Sequence, residues 1–335
     1  MYICENYKMP RYIIITDLEP DDQMALIIAS VLIPANEIYF IGATVLHSGQ
    51  KKILAENVLQ ELDYKVPVIQ GAGGKPNDYE DIVSSRAARE YCHGINTTLH
   101  HTSDDLKDAI KMTLSKNENV EFVLLAEPTD LVLALHENQS LKRSIKHIHM
   151  MGGWITKGET NWTTYNWNMG PSVSASLIEM SELPMTIYSS HMIKPAFLVG
   201  SINRANHPKL IERIDELLDK VPALKSHRTA STNWNNHLIK KIPALAKVIG
   251  SYCDHQFTPA DPIVIMCLVY PDIIIRKNSA TLKMHLTDKD SNCGYHIDIT
   301  NDKSSQISII EQIDVDKFIA KFHEVLDRLE KSAAK

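Results

Sequence analysis

The stretch Ile13-Ile14-Ile15-Thr16-Asp17-Leu18-Glu19-Pro20-Asp21-Asp22-Gln23-Met24-Ala25-Leu26 decides the fold. An apolar run ends at Asp17, Asp21 and Asp22 follow, and an apolar helical pattern then begins. This order predicts the first strand of an α/β domain, a tight loop and the start of a helix. Three carboxylates then meet at the rim where open α/β sheets bind ligands. So many acids in one loop repel one another unless a cation or a hydroxyl-rich ligand bridges them. An oxygen-rich set suits a hard ion such as Ca²⁺. Taken alone, DxxxDD also marks an ordinary helix start, where acids cap and complement the positive end. The rest of the chain separates the two readings.

Outward from this stretch, strand-like runs alternate with helix-like ones through the first 200 residues. Strands are predicted at 12–15, 38–45, 66–69, 122–125, 147–151 and 185–188, with amphipathic segments such as 50–62 and 106–115 between them. Alternation of this kind predicts a mostly parallel, Rossmann-like sheet with helices on both faces. Leu210, Ile211, Ile214, Leu217 and Leu218 recur at helical spacing, and the polar stretch 225–237 reads as a flap over a site. Residues 281–286, 294–299 and 305–310 predict a small antiparallel addition. A last helix starts near Asp314, with Phe318, Ile319, Phe322, Val325, Leu326 and Leu329 on one face. No repeat or linker breaks the chain. The expected organisation is an N-terminal extension at 1–10 and a single α/β domain at 11–333.

Composition narrows the function classes. At 335 residues the chain is long enough for a substantial core. Hydrophobic residues make up 44% and charged residues 23%, with a net charge of −6 and no basic block, which disfavours nucleic acid as a partner. No apolar stretch reaches the length of a bilayer span, so no membrane partner is expected. The first eleven residues lack the pattern of a secretory signal. The five cysteines are odd in number and show no CxxC, so a reducing cytoplasm is the expected setting.

Four further clusters sit at expected strand ends. They are Leu124-Leu125-Ala126-Glu127-Pro128-Thr129-Asp130, Met150-Met151-Gly152-Gly153-Trp154, Asn161-Trp162 with Tyr165-Asn166-Trp167-Asn168, and Thr258-Pro259-Ala260-Asp261-Pro262. Together with the opening stretch, these resemble the calcium-dependent nucleoside hydrolases, the inosine-uridine-preferring N-ribohydrolase family. That family opens with DxDPGxDD. Its second to fourth acids match Asp17, Asp21 and Asp22, its first acid is Ile15 here, and its Pro-Gly is Leu18-Glu19. Its GPLTN turn matches residues 126–130, its Met-Gly-Gly matches Met151-Gly152-Gly153, and its His-Asp-Pro is Ala260-Asp261-Pro262. The order holds from residue 12 to about residue 330 of the sequence.

The resemblance implies the nucleoside hydrolase fold and hydrolysis of the N-glycosidic bond of a ribonucleoside or related riboside. It implies Ca²⁺ as cofactor, held by Asp17, Asp22, Asp261 and the backbone carbonyl of Leu125. Asp17 would also take a proton from a Ca²⁺-bound water as general base. Asp21 and Asn168 would hold ribose hydroxyls. Ser48, Met151, Asn161, Asn166 and Trp167 complete the implied substrate-binding set. The partner is then a small riboside, and a homo-oligomer is compatible with the resemblance.

The departures concern the other end of the site. The family's leaving-group His is Ala260, its Glu on the 5′ side of the ribose is Asn166, and its Asn after the second strand is Ser48. Three consequences stay open. The leaving base is served differently, by stacking on Trp154, Trp162 or Trp167 and a proton from His47, His93, His237 or His255. The substrate carries a different 5′ group, as in a nucleotide or NAD-like compound, because an amide donates where a carboxylate would repel a phosphate. Or the chain binds Ca²⁺ and ribose without turnover.

Overall fold

The structure, a computed structural model, describes residues 11–18, 20–45, 48–72, 103–152, 180–189, 260–286, 293–300 and 304–333, with positions 208, 209, 212, 216 and 302. The expectations for residues 210–218 and 225–237 fall largely or wholly outside them.

Aliphatic runs at the predicted places form β1 (Arg11–Thr16), β2 (Ile38–Ala43), β3 (Val68–Gln70), β4 (Val120–Leu124), β5 (Ile145–Met151) and β6 (Met185–Tyr188). These six strands pair in parallel. Later in the chain come β7 (Ile274–Leu286), β8 (Cys293–Ile299) and β9 (Ile307–Ile313). The nine strands form one sheet in the order β3-β2-β1-β4-β5-β6-β9-β7-β8. β9 runs parallel to β6, and β7 runs antiparallel to both β9 and β8. The antiparallel addition thus extends the main sheet. β7 begins at Ile274 rather than at 281, because its polar run Arg276-Lys277-Asn278 still pairs with β9, through a register shift at Arg276.

Helices cover both faces. α1 (Pro20–Leu32), α2 (Ser48–Glu61), α5 (Ala260–Val269) and α6 (Val315–Ala333) share one core layer with Ile14, Ile41, Val123 and Ile310. α3 (Asp105–Lys116) and α4 (Thr129–Glu137) share the other with Ile13, Ile15, Phe122, Leu124 and Ile148. Alternate residues of β1 therefore feed opposite layers, as period-two side-chain direction requires. Both faces being buried explains why β1 reads as an unbroken Ile-Ile-Ile run. Among the described residues, no helix is long and apolar enough to cross a membrane.

The chain leaves β1 toward β2 and β3, then returns to place β4 on the other side of β1. Strand order reverses between β1 and β4, and open α/β sheets place their ligand crevice outside the carboxyl ends of the strands at such a point. Asp17 follows β1 and Leu125 follows β4, so the sequence places its acids and the proposed carbonyl at this crevice.

Candidate active site

Asp21 and Asp22 lie in the first turn of α1, and Asp261 in the first turn of α5. α1 packs on α5, which brings the two helix starts together. Asp21, Asp22 and Asp261 each offer a carboxylate oxygen within 4.8 Å of the others. Asp22 and Asp261 are buried, and Asp21 is half-buried. Asp17, half-buried at the end of β1, makes a side-chain hydrogen bond with Asp22 and acts on Asp21 by charge. The sequence expectation grouped Asp17 with Asp22 and Asp261 and set Asp21 apart. In the structure Asp21 completes the mutual triad, and Asp17 stands beside it.

The electrostatics follow from this crowding. Burial first, then the Asp17 charge, pushes Asp21 up to about 6. Burial, together with the carboxylates of Asp17, Asp261 and Asp21, pushes Asp22 well above the usual carboxylate range. Two helix starts favour negative charge here, but they do not neutralise it. The donor set is made of carboxylates, oxygen-only and within mutual reach, and a divalent hard cation would favour their charged forms.

The sequence reading missed what holds these acids. Thr16, the last residue of β1, is fully buried. Its hydroxyl donates to Asp22 Oδ1 at 2.5 Å and accepts the Leu18 N–H at 3.2 Å. The Asp17 N–H reaches the same Asp22 oxygen at 3.3 Å. The Gln23 side-chain amide donates to the Leu18 carbonyl at 3.1 Å. Leu18 itself, fully buried, sits at φ 57°, and Val45 beyond β2 sits at φ 66°. Non-glycine residues in this region are uncommon, and such backbone collects at functional rims.

The other expected residues divide into two groups. Ser48 is buried at the start of α2, rather than in a loop, and its hydroxyl accepts from the Gln70 side-chain amide at 3.3 Å. Leu125 is buried, and its N–H donates to the Ile15 carbonyl at 2.8 Å, which ties the β4 end to β1. Met151 ends β5 within the core. Ala260 is buried beside Asp261 and presents only a methyl group. Asn161, Asn166, Trp167 and Asn168 lie outside the described residues, as do Trp154, Trp162, His47, His93, His237 and His255.

A second buried acid ties the neighbouring strand ends together. Asp130, fully buried in the first turn of α4, accepts from Thr44 Oγ1 at 2.8 Å and from the Ala72 N–H at 3.0 Å. The Thr44 hydroxyl also lies 2.9 Å from the Ala72 carbonyl. A Cβ at Gly71 would meet Asp130 Oδ2 at 2.7 Å, so this close approach needs glycine.

A family model described as inosine-uridine preferring nucleoside hydrolase matches residues 12–320. No curated protein matches the sequence. Among solved structures, the purine-preferring ribonucleoside hydrolase from Gardnerella vaginalis is similar at TM-score 0.69 and 17% identity, over 96% of this chain and 99% of that one. The inosine-uridine preferring nucleoside hydrolase from Bacillus anthracis is similar at TM-score 0.61 and 13% identity, over 96% of this chain and all of that one (100%). The type III effector protein XopQ, complexed with adenosine diphosphate ribose, is similar at TM-score 0.65 and 16% identity, over 97% and 94%. At these identities the structural likenesses concern the fold.

Proposed function

The chain belongs to the inosine-uridine preferring nucleoside hydrolase family, whose members are N-glycosyl hydrolases, and from that premise we propose that it hydrolyses the N-glycosidic bond of a riboside with Ca²⁺ as cofactor. The observation that carries this reading is the meeting of Asp21, Asp22 and Asp261 at the crevice beyond β1 and β4. Asp17, Asp22, Asp261 and the Leu125 carbonyl would hold the ion in this proposal, with Asp21 in reach of Asp22 and Asp261. Bound there, Ca²⁺ would polarise the attacking water and gather ribose hydroxyls into its oxygen shell.

The chain's own residues do the rest. Asp17 takes the proton of the attacking water. Asp21 and Asn168 hold ribose hydroxyls in this proposal, and Ser48, Met151, Asn161, Asn166 and Trp167 complete the substrate-binding set. As the bond to the base breaks, the sugar gains oxocarbenium character, which the surrounding carboxylates stabilise. Ala260 supplies no proton to the leaving base.

A 5′-substituted riboside, such as a nucleotide or NAD-like compound, is the second reading. Asn166 favours it, standing where the resembled motif has Glu. The fold likeness to a protein solved with adenosine diphosphate ribose supports including such compounds. The test is base release from a panel of nucleosides, nucleotides and NAD-type compounds, in Ca²⁺ and after chelation. Release should depend on Ca²⁺, and Asp17→Asn should lower it by about 10²–10⁴-fold in a folded protein, the usual worth of a general base. Near-wild-type turnover by Asp17→Asn would remove Asp17 from this role. Ca²⁺-dependent ribose binding without release from any compound would instead make the chain a binding protein.

A further inference from the structure

The acids of the site do not orient themselves. Asp22 Oδ1 accepts two donors, the Thr16 hydroxyl at 2.5 Å and the Asp17 N–H at 3.3 Å. An ionised carboxylate has about four acceptor positions, two on each oxygen. With Oδ1 held at the end of β1, Asp22 is fixed where it also meets the Asp17 side chain and lies within reach of Asp21 and Asp261. Thr16 has one hydroxyl proton, and Asp22 receives it. The lone pairs of the same hydroxyl receive the Leu18 N–H at 3.2 Å. One buried side chain therefore fixes both the carboxylate and the loop that carries Asp17. The buried setting makes this geometry costly to lose, since no water reaches Thr16 to replace it.

We propose that Thr16 is a positioning residue for the cation, holding Asp22 by Oδ1 in place beside Asp21 and Asp261. The proposal rests on the cation reading above and adds to it a residue that touches neither ion nor substrate. Partners of metal ligands are worth about 10–100-fold in metal affinity. Thr16→Val keeps the shape and removes the hydroxyl, while Thr16→Ser keeps the hydroxyl and removes the methyl group.

The experiment is a calorimetric Ca²⁺ titration of the full chain after chelation, for wild type, T16V and T16S. Melting temperatures are measured in Ca²⁺ and in chelator alongside. The expected result is Ca²⁺ binding about 10–100-fold weaker in T16V and near wild type in T16S. T16V should also lose more of its melting temperature in Ca²⁺ than in chelator. Equal Ca²⁺ affinity in T16V and wild type, with equal losses of melting temperature in both conditions, would overturn the proposal and leave the cation reading intact. Wild type that takes up no Ca²⁺ would overturn the cation reading itself, on the wild-type titration alone, and the role of Thr16 with it. If T16V does not fold, T16A provides the same comparison, with T16S as the control that restores the hydroxyl.

Discussion

Leu18 occupies a conformation closed to proline, whose ring holds φ near about −65°, whereas φ at Leu18 is 57°. The resembled DxDPGxDD motif has proline at this position, so the loop here follows a different backbone path. The Leu18 N–H is also engaged by the Thr16 hydroxyl, and proline has no N–H to give. Restoring the motif residue should therefore harm this chain. Leu18→Pro is expected to destabilise by more than about 1 kcal/mol, the loss seen when proline meets an incompatible φ. Urea melts of L18P and wild type would check it, and equal stability would refute the left-handed path. The acids were legible in the sequence because carboxylates at the end of an apolar run have no place in a core. Thr16 was not, because threonine at the end of a strand is ordinary β composition. Nor was the angle at Leu18, because the residue type argues against it.

Asp130 acts between elements, joining the first turn of α4 to Thr44 beyond β2 and Ala72 beyond β3. The Thr44 hydroxyl has one proton but two acceptors close by, Ala72 O at 2.9 Å and Asp130 Oδ2 at 2.8 Å. A proton on Asp130 closes both contacts, and burial does push this carboxyl up from its ordinary value. The proton-bound form stabilises the fold below the ordinary value of 3.8, and this contribution is lost as pH rises through the raised folded value. Asparagine copies the neutral acid at every pH, since its amide donates to Thr44 and its carbonyl accepts from Ala72. The advantage of Asp130→Asn over wild type should therefore grow as pH rises, in thermal melts. Asp130→Ala should cost about 1–3 kcal/mol by orphaning the Ala72 N–H. An advantage of D130N that shrinks with pH would show that Asp130 is ionised in the fold. At this scale the strands were legible from their aliphatic runs and α6 from its apolar stripe. The early start of β7 was not, because Arg276 and Lys277 look like loop residues until β9 pairs with them.

Across the whole molecule, charge is also placed far from the crevice. Glu121 of β4 is buried, with Lys146 Nζ at 2.8 Å and His149 Nε2 at 3.2 Å. Burial pushes the Glu121 carboxyl up, but these two partners outweigh it and hold it at about 2. A depressed carboxyl stabilises the fold above its ordinary 4.5 and loses that contribution as pH falls toward 2. The stability advantage of wild type over Glu121→Gln should therefore shrink across that interval, as read from denaturant midpoints. An advantage constant with pH would show that the partners do not act through charge. The architecture as a whole was legible from the alternation of strands and helices. The partition of acids between crevice and sheet was not, because Glu121 differs from a surface glutamate only in what β5 places beside it. The joining of α1 to α5 has a consequence in time as well as in space. Asp22 and Asp261 stand far apart in the chain and meet only through a long-range contact, the kind that forms slowly because a large loop must close first. During synthesis the first acids emerge with most of the chain still to come. Their repulsive meeting with Asp261 waits until most of the sheet has been made, so the crowded centre is assembled late, on a scaffold already able to hold it.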